Sequence, residues 1–306
     1  MKIRNGSYCR KCLQQSLPVD IMIRFANHVY PVYNIYKEAG LRENQPLSNQ
    51  NAAQRIVEDF IAAERFIDLV EFLIRVDLKG YMGRQYSLRG LNDVISGIIR
   101  EGYSYDSATG QFFENQSARI SNSWGRLIDG DERNMAVLRL DVAGNSVLVK
   151  RNNAGAVEKA YKDLRGIVSQ AVISRLGRLW SWEGDGALAV FLFGYKERAA
   201  VFAGMNILHE LYIYNRLVNP LDAPITVRIA AHAGPVHYRK DQTELLKNET
   251  VRDTVGIESR AVKPGSFGIS DGIFLSIDKG LQELFRGGQY IDGMRVRTYG
   301  FEAEPS

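Results

Sequence analysis

Met135-Ala136-Val137-Leu138-Arg139-Leu140-Asp141 reads as a strand of apolar residues with one arginine inside it and a carboxylate at its end. Further on, Trp182-Glu183-Gly184-Asp185-Gly186 precedes the apolar run Ala187-Leu188-Ala189-Val190-Phe191-Leu192-Phe193. Gly184 and Gly186 mark a tight turn, because glycine takes backbone angles that other residues avoid. One acid therefore ends a strand and the other sits at a hairpin tip. Two carboxylates brought together at strand ends repel unless something cationic lies between them. A pair of divalent metals is the common remedy, and metals held by two aspartates belong to phosphoryl-transfer chemistry.

Outward from this pair, the second half of the chain alternates. A strand over 136–141 leads to a helix over 156–174, with Val157, Ala160, Tyr161, Leu164, Ile167 and Val168 on its apolar side. A hairpin pairs strands at 178–182 and 187–193. A helix follows over 197–217, then a strand over 225–232 that continues through 235–238. A last hairpin at 289–299 turns at Asp292-Gly293. The order β-α-β-β-α-β is ferredoxin-like, so the expectation is an α+β domain, a mostly antiparallel sheet with helices on one face.

The first half reads differently. Pro18, Pro31 and Pro46 interrupt residues 1–48, and 41–50 reads as a loop. Ile56, Phe60, Ala63, Ile67, Val70 and Ile74 recur at helical spacing and predict one amphipathic helix over 52–74. A second helix over 87–99 and a hairpin over 102–113 follow. That outline is also the outline of a winged helix, but the second helix presents few basic residues and the hairpin has no Lys/Arg cluster. A small, mostly helical regulatory or dimerising domain over 1–117 is the preferred expectation, with a second domain over 118–306 after a polar boundary near residue 118.

The 306 residues are 45% hydrophobic and 24% charged, ordinary globular values, with a formal net charge of +4. That charge is too small for a dedicated nucleic-acid binder and suits an anionic ligand. No apolar run approaches the roughly eighteen residues of a membrane span, and Met1-Lys2-Ile3-Arg4-Asn5-Gly6 does not look like a signal peptide. The expectation is a cytoplasmic protein with neither membrane nor nucleic acid as partner. Cys9 and Cys12 form a lone C-x-x-C. With no second pair to complete a zinc site, they read as two reduced thiols.

With these elements in place, the motifs resemble those of the class III nucleotide cyclase catalytic domain over roughly 133–275. Leu140-Asp141-Val142-Ala143-Gly144-Asn145-Ser146 is similar to that family's first metal motif, and Glu183-Gly184-Asp185-Gly186 to its second. Val227-Arg228-Ile229-Ala230-Ala231-His232-Ala233-Gly234 resembles its Val-Arg-Ile-Gly-x-His-x-Gly strand. Asp253-Thr254-Val255-Gly256-Ile257-Glu258-Ser259-Arg260 resembles its Asp-x-Val-Asn-x-x-x-Arg helix. The resemblance implies two divalent ions, Mn2+ or Mg2+, on Asp141, Asp185 and the Val142 carbonyl. One ion would lower the pKa of the 3′-hydroxyl, and the other would neutralise the leaving group. Ala143, Gly144, Asn145 and Ser146 would line the phosphates, and Arg260 would meet charge growing on the α-phosphate. His232 and His237 are an odd number of positions apart on one strand and read as structural or surface residues.

The chain departs from the purine cyclases at several places. Ser181 stands where those enzymes carry Lys or Glu, Glu249 where they carry Asp or Cys, and Gly256 where they carry the ribose-steering Asn. Arg178-Leu179-Trp180-Ser181-Trp182 instead resembles the Arg/Tyr-x-x-x-Trp pattern of the bacterial pyrimidine cyclases of the Pycsar antiphage system. Positions four apart on a strand share a face, so Arg178 and Trp182 would read the base together. Arg offers only donors, which suits the adjacent acceptors of cytosine and favours CTP slightly over UTP. The resemblance further implies a head-to-tail homodimer with shared sites and a separate effector activated by the cyclic nucleotide. Two rivals stay open: a purine cyclase with unusual base contacts, and an inactive nucleotide-binding module.

Overall fold

The computed structural model describes residues 6–300 apart from 39, 41, 43, 44, 108, 118 and 119. The first five residues, the start of the loop at 41–50 and the expected boundary near 118 therefore lie outside the described residues. The chain divides into two compact units, Met1–Ile128 and Asp129–Ser306.

The first unit carries α1 (Ser7–Ser16), α2 (Val19–Val29), α3 (Ile35–Glu38), α4 (Asn49–Ala62), α5 (Phe66–Lys79), α6 (Leu91–Arg100) and the antiparallel hairpin β1 (Tyr103–Asp106) and β2 (Gln111–Glu114). The single helix expected over 52–74 is two. Glu64 takes a left-handed conformation with φ 59°, and the Arg65 amide reaches back to the Phe60 carbonyl, which closes α4 as a helix end. The polar stretch after β2 belongs to this unit. Arg126 pairs with Asp68 and Glu71 on α5, both at 2.6 Å. Ser121 donates its backbone and hydroxyl to Glu114. Cys9 and Cys12 are buried in the core beside Leu13, Phe25 and Phe60. Burial pushes the Cys12 thiol up to about 11 and the Cys9 thiol higher still.

The second unit is a seven-stranded sheet of order β4-β5-β3-β6-β7-β9-β8. Its strands are β3 (Glu132–Val142), β4 (Arg178–Glu183), β5 (Gly186–Phe191), β6 (Val227–His237), β7 (Ser266–Ser270), β8 (Arg286–Ile291) and β9 (Met294–Gly300). Its helices are α7 (Asn145–Arg151), α8 (Ala154–Ile173), α9 (Lys196–Leu217), α10 (Gln242–Leu245), α11 (Glu249–Ala261), α12 (Asp271–Ser276) and α13 (Lys279–Gln282). Taken in sequence, β3-α8-β4-β5-α9-β6 is the ferredoxin-like unit, with β6, β3, β5 and β4 adjacent in space and antiparallel. Parallel β7 and the β8–β9 hairpin extend it. The hairpin turns at Asp292 and Gly293, with φ 49° and 81°, as its sequence predicts.

Two faces of this sheet are covered, not one. Ala136, Leu138, Leu140 and Val142 of β3 meet Ala160, Leu164 and Val168 of α8 and Ala200, Val201 and Ile207 of α9 in one core. On the opposite face Ala230 packs against Ile257 and Ala261 of α11, together with Val296. Strand residues alternate between faces, so Arg139 and Asp141 lie on the α11 side, beside Ala230.

Candidate active site

Register sets the two aspartates at one end of the sheet. Asp141 on β3 is the direct cross-strand partner of Gly186 on β5, so Asp185, the residue before Gly186, stands at the same end of the sheet. Gly184, with φ 57°, makes the turn that presents Asp185. Tyr161 of α8 lies close to both acids. Burial, then Asp185 and Asp141, push its phenol up to about 12.

Sequence reasoning gave no role to Arg228, which the structure places at the centre of the site. It is the cross-strand partner of Asp141 on the other flank. Its Nη2 donates to Asp141 Oδ2 at 2.5 Å, and its Nε donates to Glu258 Oε1 at 2.6 Å. Burial alone would lower the guanidinium; its hydrogen bonds to Asp141 and Glu258 more than offset that and hold it above its ordinary range. Burial raises the Glu258 carboxyl, with Arg228 pulling the other way. The sequence shows Arg228 only as part of the Val-Arg-Ile strand; the antiparallel pairing of β6 with β3 is what sets it on Asp141.

The loop after Asp141 differs in part from expectation. The Ala143 amide donates to the Thr226 carbonyl at 2.8 Å, so it is not offered to a phosphate. Val142 buries its side chain in the core, which leaves its backbone as the group it can contribute. Gly144 is left-handed with φ 70°, and α7 starts behind it. First-turn amides, here those of Asn145 and Ser146, have no acceptor within a helix. The Asn145 side chain is held, since its Oδ1 accepts from the Tyr161 hydroxyl at 2.6 Å.

Arg178 and Trp182 do not share a face. Arg178 pairs with Val190 and Leu179 with Ala189, but Ser181 pairs with Leu188 and Trp182 with Ala187. Trp180 is the extra residue of a bulge, which shifts the alternation by one. Trp182 therefore lies on the α8 side, with the Arg165 guanidinium 5.2 Å from its ring. Arg178 lies on the α11 side, 1% exposed, its Nη1 donating to the Gly177 carbonyl. Trp180 is buried against Tyr238. Ser181 shares the face of Arg139 and Asp141.

Arg260 is exposed and paired through both outer nitrogens with Asp292 at the β8–β9 turn. Its guanidinium lies over Gly256, where a Cβ would meet Nη2 at 2.7 Å. The missing Asn side chain leaves the space that this arm fills. Glu258, two residues earlier and so about 200° round the helix, faces Arg228. Arg260 thus points away from Asp141 and Asp185 of its own chain. Glu249 opens α11 and lines a cleft of about 350 Å³ with His237, Arg239, Lys247 and Arg252. His232 engages Ser270 Oγ through Nδ1 at 2.8 Å, and His237 engages Glu132 at 3.0 Å.

No family model and no curated protein matches the sequence. In fold, the chain is similar to solved cyclase domains. One is the guanylyl cyclase domain of the RhoGC fusion protein of Blastocladiella emersonii, 17% identical over 56% of this chain and 99% of that one, with a TM-score of 0.46. Another is the adenylate/guanylate cyclase/hydrolase of Silicibacter pomeroyi, 22% identical over 56% and 99%, TM-score 0.47. A third is the guanylyl cyclase Cya2, 20% identical over 58% and 97%, TM-score 0.47.

The donor set fits divalent metal. One carboxylate on β3 and one at the β4–β5 turn stand at the same end of the sheet, and hard cations take oxygen ligands of this kind. Among the described residues there is no cluster of three or more His, Cys, Asp or Glu. Ions on this pair would therefore complete their shells with backbone carbonyl, water and substrate oxygens. Among the described residues no helix is long and apolar enough to cross a membrane.

Proposed function

We propose that this chain is a metal-dependent nucleotide cyclase that converts CTP or UTP into the 3′,5′-cyclic monophosphate and pyrophosphate. The observation that carries the reading is the pairing of Asp141 with Gly186, which sets Asp185 beside Asp141 at one sheet end. Mn2+ or Mg2+ held there would acidify the attacking hydroxyl and draw charge from the triphosphate. Asp141 and Asp185 supply the anionic ligands and Val142 its carbonyl. Gly144, Asn145 and Ser146 face the phosphates from the following loop, and Arg228 meets their charge from the neighbouring strand. Tyr161 fixes Asn145. No protein nucleophile is required.

The pyrimidine preference rests on Ser181 and Glu249 standing at the purine-reading positions, and no longer on a shared Arg178–Trp182 face. The homodimer with shared sites is supported by Arg260, which faces away from Asp141 and Asp185 and would serve a partner's α-phosphate. In the implied system the product activates a separate antiviral effector.

The experiment is incubation of the full chain with each of four triphosphates and Mn2+, beside Asp141→Ala. The reading expects cyclic CMP or cyclic UMP from the wild type and loss of at least about a hundredfold in the variant. Purine products would establish the first rival. Binding without turnover would establish the inactive module, for which the pairing of Arg260 with Asp292 is the favouring observation. Undiminished turnover by Asp141→Ala would remove the metal assignment.

A further inference from the structure

Arg139 is an arginine within the apolar stretch Met135–Leu140 of the central strand. It lies two residues before Asp141, on the same face of β3, and is half-buried. Its guanidinium lies against Gly186, where a Cβ would come within 2.3 Å of Nη2. Among the described residues its Nε is buried with no hydrogen-bond partner. Glu258 feels its charge, but that carboxylate is already held by Arg228. A buried donor left unmade costs stability, so an apolar side chain of similar volume would suit this position at least as well. A local rule broken without a structural return marks a functional position.

What it would bind follows from its neighbours. Arg139 pairs with Ala230 and Arg228 with Asp141, so the two guanidiniums stand diagonally on one face at the end of the sheet that carries both aspartates. Two planar cations beside a carboxylate pair suit an anion with many oxygens that itself carries divalent metal. We propose that Arg139 is a substrate-binding residue that grips the polyphosphate part of the nucleotide, acting with Arg228. This rests on the reading of Asp141 and Asp185 as the metal pair.

The test is binding of inorganic tripolyphosphate to the full chain in Mn2+, measured by calorimetry, with thermal melting alongside. Arg139→Met should bind at least about tenfold more weakly than wild type, the loss expected for one charge-assisted contact, with a melting temperature equal or higher. Should Arg139→Met not fold, Arg139→Gln, which keeps a donor near Gly186, should show the same loss. Wild-type affinity in the folded variant overturns the proposal, provided that Arg228→Met has lost affinity. If Arg228→Met and Asp185→Asn also bind as wild type does, the underlying metal site is what has failed.

Discussion

At the scale of the residue, His232 shows how a side chain from a recognisable motif can be part of the framework. Its ring lies under α11, with Nδ1 on the buried Ser270 hydroxyl and Nε2 3.9 Å from Asp253. Burial lowers its pKa below 6.5, and Asp253 offsets this in part. The folded state therefore prefers the neutral ring. The stability it contributes is fully present above 6.5 and is lost as pH falls through the lower folded value. Urea denaturation at pH 7.5 and 5.5 should show a smaller midpoint at the lower pH. His232→Gln should narrow that difference; an unchanged difference would mean that other groups carry it. The same scale shows why Arg228 went unassigned in the sequence. Nothing in Val227-Arg228-Ile229 says which strand it faces, and only the pairing of β6 with β3 sets it on Asp141. Ala143 is the converse case: its place in the motif suggests a phosphate contact, whereas its amide closes on Thr226.

At the scale of the element, signals carried by glycine and by alternation were legible, and those carried by backbone conformation alone were not. The β4–β5 and β8–β9 hairpins announce themselves through Gly184, Gly186 and Asp292-Gly293. The break between α4 and α5 depends on a left-handed glutamate, Glu64, where a glycine would have been the usual marker. Pro18, taken as an interruption, is the N-cap of α2, since proline is tolerated where a helix begins. The bulge at Trp180 leaves no mark in Arg178-Leu179-Trp180-Ser181-Trp182, yet it turns Arg178 and Trp182 to opposite faces. The hairpin tip yields a prediction of its own. At Gly184 a Cβ would meet no atom within 4 Å, but φ is 57°. Gly184→Ala should therefore cost about 1–2 kcal/mol through backbone strain alone. Guanidinium denaturation measures this, and a cost near zero would mean that the turn relaxes into another conformation.

At the scale of the molecule, the question is whether one chain completes the site. The ferredoxin-like core was legible because six elements alternate in a fixed order and their apolar faces show the period of each. The relation of Arg260 to the aspartates was not legible, because helix phase within α11 decides it. Glu258 faces the Asp141–Arg228 pair while Arg260 lies about 200° away on Asp292. In the proposed head-to-tail dimer this arginine would serve the other chain's aspartates. In such a dimer each site draws its aspartates from one chain and its arginine from the other. Asp141→Ala and Arg260→Ala should each be inactive alone. Mixed after dissociation or co-expressed, about half the dimers would carry both variants and one intact site, restoring roughly a quarter of wild-type turnover. Were both groups to act within one chain, every chain in the mixture would lack one of them, and turnover would stay at the level of the single variants.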